Sequence, residues 1–291
     1  MVNLVIAGFS KCGTTTLYDM LKMHKDIGIG TSKEPAFFSK IKGFNTTKDF
    51  TNWSVGGSYD KGVEWYESIY RGVVNKKYIM DASTIYSFDS QAPSLIHQYN
   101  PNTKIIFIVR EPYKRIESHY FQEVKTGMNL PDFNEFIISE HPRLNFYKNV
   151  TKYKTPIVNY INVFGSQNVY VTSLNALKDM PQNVLQDIFN FLNINETDFN
   201  HFLNNGPSNV RRAPRFMFLK STLVSIERSK LAKKSPRFIQ ELGSKVMRNI
   251  DKFLLKEISN KPNTSNDIRD SINNQFKDDL DYLKNNHQIL F

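Results

Sequence analysis

Apolar residues fall into short unbroken runs separated by stretches with helical spacing. The first run, Asn3 to Ala7, ends at the glycine-bearing turn "GFSKCG", after which Leu17, Met20 and Leu21 mark a helix expected from Thr14 to His24. "KYIMDAS" reads as a second buried strand ending at Asp81. "KIIFIVREP" is the clearest strand, continuously apolar and β-branched as strands covered on both faces are, with Pro112 placed to open the next helix. "NVYVTS" is a further strand after a helix expected from Thr151 to Phe164. Strands alternating with helical patterns predict βαβ units: an α/β fold with a P-loop-like, largely parallel sheet flanked by helices.

The remaining segments complete the outline. Lys40 to Gly62 is polar and dotted with glycine, a candidate lid or substrate-facing loop, followed by a short helix near Val63 to Tyr70. Beyond Pro181 the strand pattern stops and a helical C-terminal half is expected, interrupted by the loop "NNGPSNVRRAPR" and by the connector "SNKPNTSND" before a terminal helix. With 291 residues, 40% of them hydrophobic, and no internal repeat, the chain is expected to form one domain over residues 1–291.

Charge adds a class of partner. A formal charge of +10 attracts polyanions, and nucleic acid, an anionic nucleotide or an acidic glycan would each satisfy charge alone. No run of about 18 apolar residues occurs, so no membrane span is expected. Met1 leads straight into an apolar strand without a basic n-region, which reads as a cytosolic chain. The lone cysteine, Cys12, excludes an internal disulfide and agrees with a reducing compartment. The glycosylation triplets at Asn45, Asn52, Asn149, Asn195 and Asn263 are discounted as products of an asparagine-rich composition.

The turn after the first strand carries the first candidate chemistry. Gly8 and Gly13 have the spacing of a nucleotide-hydrolysing P-loop, but Thr14 stands where that loop has lysine, and the nearby cation is Lys11, inside the turn. Strand, glycine turn and helix N-terminus together present amides and the positive helix end to one anion, with hydroxyls from Thr14, Thr15 and Thr16. The displaced lysine points to a ligand other than a nucleoside triphosphate. A second grip lies in "IVREPYKRIESHY", where Arg110 leaves a central strand end and Ser118 follows about two helical turns into the next helix. Two anion grips at neighbouring strand ends fit a nucleotide phosphorylated at both ends.

These segments resemble the sulfotransferases that use 3′-phosphoadenosine 5′-phosphosulfate (PAPS). "GFSKCGTTTLYDML" looks like their 5′-phosphosulfate loop and "VREPYKRIESHY" like their 3′-phosphate motif. "SKEPAFF" and "DASTIYSF" resemble elements of the glycan-modifying branch, and "FKDDLDYLKNN" is similar to the usual terminal helix. "NNGPSNVRRAPR" falls where the family closes an arginine-bearing loop over the nucleotide.

The resemblance implies roles. Lys11 would neutralise the leaving phosphate; Ser10, Cys12, Gly13, Thr14, Thr15 and Thr16 would hold the 5′-phosphosulfate. Arg110 and Ser118 would take the 3′-phosphate, with Arg211, Arg212 or Arg215 completing it. Glu34 would be the general base, and Lys33, Asp81 and Ser83 would meet the acceptor, although Lys33 also reads as a solvent-exposed charge and Asp81 as a strand-end cap. PAPS is the implied co-substrate and no metal is expected; the partner is an acceptor glycan or small molecule and not nucleic acid. Ala36 replaces a histidine frequent in glycan sulfotransferases, and Ala82 and Thr84 stand where lysine and proline are common, which leaves acceptor specificity open. The other readings are a P-loop kinase or NTPase and a non-catalytic polyanion-binding protein.

Overall fold

The structure is a computed structural model that describes residues 1–43, 56–126, 128–195, 212–214, 255–257 and 264–291; for 212–214 and 255–257 only the backbone is described. A five-stranded sheet lies at its centre, in the order β2 (Ile27–Ile29), β3 (Tyr78–Asp81), β1 (Leu4–Gly8), β4 (Lys104–Val109), β5 (Val169–Ser173). All neighbours run parallel, with Val5 beside Asp81 on one side and Ile105 on the other. Leu4, Val5, Ile6 and Ala7 are each 0% exposed, as are Ile105 to Val109, which explains why both strands read as unbroken apolar runs. Removing a large side chain from this layer, as in Ile106→Ala, would cost about 2–5 kcal/mol.

Helices flank this sheet. α1 (Thr14–Leu21) follows β1; α2 (Val63–Ser68) and α3 (Ala92–Tyr99) flank β3; α4 (Pro112–Lys125) follows β4. α5 (Phe133–Phe136), α6 (Pro142–Val150) and α7 (Lys154–Phe164) precede β5, and α8 (Leu174–Asp179) and α9 (Pro181–Leu192) follow it. A second apolar cluster joins the far face of α4, through Tyr113, Ile116 and Tyr120, to Phe136 and Tyr147 and to Ile272 and Phe276 of the C-terminal segment. α4 is thus held on two sides, which fixes the inner face that it turns toward the β1 turn.

The structure differs from the sequence reading in several places, one being the helix expected from Thr151, which begins at Lys154. The first helix ends at Leu21 and not His24, because the chain turns there: His24 accepts the Asp26 amide on Nδ1 at 3.1 Å and contacts the Asn195 carbonyl through Nε2. The edge strand β2 was not expected, being three residues long with Gly28 in the middle and so without a usable alternation. Strands also occur beyond Pro181, against expectation: β6 (Arg212–Pro214) pairs antiparallel with β7 (Leu255–Glu257), and β6 lies alongside α4. Three-residue strands carry no readable period.

Candidate active site

The β1 turn is a loop that only particular residues can form. Lys11 and Gly13 have φ of +65° and +97°, in the left-handed region. The backbone angle favours glycine at position 13, and a Cβ there would come within 2.6 Å of Leu174 Cδ1, so that side chain would have to shift as well. At the other end, a Cβ on Gly8 would lie 2.6 Å from Ser87 Cβ, because the short 3₁₀ segment Thr84–Ser87 packs directly on the end of β1. The loop therefore sits between the segments that follow β3 and β5. Gly13 caps α1, whose first turn contains no acidic side chain. The amides of Thr14, Thr15 and Thr16 lie at a helix start, where amides have no intrahelical acceptor.

The two expected anion grips lie in one place. Arg110 donates from Nη1 to the Lys11 carbonyl at 3.3 Å. The Lys11 ammonium donates to Gln122 Oε1 at 3.2 Å. Ser118, half-buried, precedes Gln122 by four residues on α4 and so shares its helical face. Burial pushes the Lys11 ammonium down to a pKa of about 8, the charges of Lys125 and Arg110 add to that, and Glu34 acts in the opposite direction. Lys11, Arg110, Lys125 and Glu34 thus share one electrostatic neighbourhood.

The acidic side is organised by Lys33. Its ammonium donates to Thr15 Oγ1 and to Glu34 Oε1, each at 2.9 Å, while Thr84 Oγ1 donates to Glu34 Oε2 at 3.3 Å. Both oxygens of Glu34 are therefore engaged, although its side chain remains 45% exposed and able to meet an incoming group. Lys33 links the helix start of the anion loop to this carboxylate.

Several residues expected to touch a ligand are placed otherwise. Asp81 and Ser83 are both 0% exposed and cannot reach an acceptor directly. Asp81 accepts from Tyr66 Oη (2.9 Å), Tyr86 Oη (2.8 Å), the Ser83 amide (2.9 Å) and Ser83 Oγ (2.6 Å), and burial raises its carboxyl to about 6 against those bonds. Ser83 Oγ accepts from the Ala36 amide at 2.9 Å, and the Ala82 amide donates to the Lys33 carbonyl at 3.1 Å. The pair thus holds the segment that carries Lys33 and Glu34. Cys12 is also 0% exposed, and its amide donates back to the Phe9 carbonyl at 3.2 Å, so it offers the loop neither thiol nor amide. Ser10 is 8% exposed with its hydroxyl 3.2 Å from His119 Nε2. Arg211 and Arg215 lie outside the described residues, Arg212 is placed by its backbone alone, and residues 44–55 of the expected lid also lie outside.

The sequence reading gave no role to Arg115, Gln122, Tyr153 or Thr84. Arg115 donates from Nε to the Ser10 carbonyl at 2.9 Å, and Tyr153 Oη donates to the Arg110 carbonyl at 2.6 Å and lies 3.8 Å from Cys12 Sγ. One signal was present: Arg115, Ser118 and Gln122 recur at spacings of three and four, and so form one polar row along the helix that follows the β4 strand.

A parallel sheet with a glycine turn at its carboxyl edge, joined to an arginine from the next strand, defines an α/β protein with the arrangement that suits an anion at a helix start. The chain belongs to the sulfotransferase domain family, whose model matches residues 2–261. It is similar to human heparan sulfate glucosamine 3-O-sulfotransferase 6, with 30% identity over 129 residues, 44% of this chain and 32% of that protein. It also resembles the Xenopus laevis bifunctional heparan sulfate N-deacetylase/N-sulfotransferase 1, with 28% identity over 225 residues, 69% of this chain and 23% of that protein. In these alignments the chain covers about a third or less of the relatives' length. A sulfotransferase structure from Alicyclobacillus acidocaldarius shares the fold with a TM-score of 0.65 at 21% identity, covering 98% of this chain and 94% of that one.

The expected cytosolic location is corrected by these relatives, which are heparan sulfate sulfotransferases, acting on their glycan in the Golgi lumen and not the cytosol. The argument from Cys12 carries no weight, because a single buried cysteine has no internal partner for a disulfide in either an oxidising or a reducing compartment. Among the described residues no helix is long and apolar enough to cross a membrane.

Proposed function

We propose that the chain moves a sulfuryl group from PAPS to a hydroxyl or amine of a saccharide. The observation that carries this reading is the bond from Arg110 Nη1 to the Lys11 carbonyl, which joins the 5′ and 3′ anion grips into a single site. The Thr14 to Thr16 amides, with the Thr15 hydroxyl and Lys11, would hold the phosphosulfate, and Arg110 with Ser118 the 3′-phosphate. PAPS supplies an activated sulfuryl group on a phosphate leaving group.

The chain's own residues then have separable tasks. Glu34, oriented by Lys33 and Thr84, accepts the proton of the acceptor as its oxygen or nitrogen bonds to sulfur. Lys11 offsets the charge that returns to the leaving phosphate as the S–O bond breaks. Such transfers depend on in-line positioning and charge stabilisation more than on covalent chemistry by the protein. The relatives named for heparan sulfate support a saccharide acceptor.

A kinase or NTPase is less well supported, since Thr14 occupies the position of the lysine that grips terminal phosphates. Incubating the protein with labelled PAPS and a panel of glycosaminoglycans, lipids and small hydroxyl compounds tests the proposal. Label transferred to a glycan is the expected result, and Mg²⁺-dependent ATP turnover without sulfate transfer would overturn it.

A further inference from the structure

One charge beneath the anion loop has no part in the reaction described above. Arg115 is 0% exposed. Its Nε donates to the Ser10 carbonyl at 2.9 Å and its Nη1 to the Val150 carbonyl. The guanidinium carbon lies 5.3 Å from the ring centre of Phe9 and 5.4 Å from that of Tyr153. Its Nη2 is buried and has no hydrogen-bond partner among the described residues.

Buried arginines ordinarily pair with carboxylates. Among the described residues the other fully buried arginine, Arg143, does so, forking onto Glu123. Among the described residues no carboxylate forms an ion pair with Arg115. A guanidinium cannot lose its proton, so this charge is permanent, and burying it without a counter-charge is expensive. The neighbouring His119 responds as a titratable group must: burial first, and then the Arg115 charge, push its pKa well below the usual range, leaving it neutral. The loop from Ser10 to Thr16 lies on the side to which Arg115 Nε points.

We propose that Arg115 is a positioning residue for the donor. It supplies a fixed positive charge from beneath the loop, balanced when the loop binds the anionic 5′ end of the donor, and it fixes the Ser10 carbonyl that begins the turn. This rests on the loop being the donor site. In the competing account Arg115 is a neutral-equivalent strut between Ser10 and Val150, and its charge has no bearing on the ligand.

Calorimetric titration of adenosine 3′,5′-bisphosphate into the wild-type protein and into Arg115→Lys, Arg115→Gln and Arg115→Met separates these accounts, with a thermal melt of each variant. Arg115→Lys should bind within about threefold of wild type, whereas the uncharged Gln and Met variants should bind at least about tenfold more weakly. The rise in melting temperature on adding the nucleotide should shrink in the same two variants. Equal losses for Lys and Gln, or unchanged affinity for Gln, would overturn the proposal. So would folding of the Lys variant alone, since the charge would then serve the fold and not the ligand. Failure of the wild-type protein to bind would instead overturn the donor site itself.

Discussion

Arg110 and Lys11, 99 residues apart, meet where the Arg110 guanidinium donates to the Lys11 carbonyl at 3.3 Å. The arginine of one anion grip is thereby a buttress of the other. Lys11→Ala should lower kcat by about 10²–10³-fold, the scale of losing one stabiliser of transition-state charge. Arg110→Ala should chiefly raise the KM for donor, by roughly 10–100-fold, since it removes a charge-assisted bond. Arg110→Lys should rescue little, because a single ammonium cannot both hold the Lys11 carbonyl and grip a phosphate. Initial rates over a range of PAPS concentrations separate the effects.

The depressed Lys11 pKa gives a pH signature. Because its folded-state value is about 8 against an ordinary 10.5, Lys11 remains charged below about pH 8 and loses its charge above it in the donor-free protein. Donor affinity should be level below about pH 8 and fall above it. Stability should move the other way: between 8 and 10.5 the unfolded chain binds more protons, so the donor-free fold gains stability as pH rises. Lys11→Met should flatten both trends, as read by titration calorimetry and thermal melts from pH 7 to 10.

Gly13→Ala combines a positive φ with a Cβ 2.6 Å from Leu174 Cδ1. Strain of this kind costs on the order of 1–3 kcal/mol, and relieving it displaces the loop. A lowered melting temperature together with loss of measurable nucleotide binding is expected. Leu174→Ala in the same chain should restore part of the melting temperature but not the backbone preference for glycine.

Thr84 and Asp81 should act on turnover and not on donor binding. Thr84→Val removes the bond to Glu34 Oε2, and Asp81→Asn disturbs the carboxylate that holds Ser83 and, through it, the Ala36 amide. Thr84→Val should lower kcat several-fold with unchanged affinity for adenosine 3′,5′-bisphosphate. Asp81→Asn should also reduce stability by about 1–3 kcal/mol, since Tyr66 and Tyr86 then face a poorer acceptor.

The sequence made legible what depends on long, unbroken apolar runs. β1 and β4 are buried on both faces and read as continuous apolar runs; the glycines of the turn stand out because the backbone angle at Gly13 favours glycine. Legibility failed where a role depends on which distant residue lies opposite. Asp81 looked like an acceptor contact because it ends a strand, yet two tyrosines from α2 and the 3₁₀ segment close over it. Arg115 resembled any helical arginine until Ser10 and Val150, from separate parts of the chain, enclosed it. The short strands β2, β6 and β7 were missed because three residues cannot display a period.

The central claim is that Arg110 reads the 3′-phosphate of a donor whose 5′ end lies in the Lys11 loop. Calorimetry in the presence of a metal chelator, comparing adenosine 3′,5′-bisphosphate with adenosine 5′-monophosphate on wild type and Arg110→Ala, tests it most directly. The account expects the wild-type protein to favour the bisphosphate by at least about tenfold and Arg110→Ala to lose that preference. A preference of the same size in both proteins would contradict it.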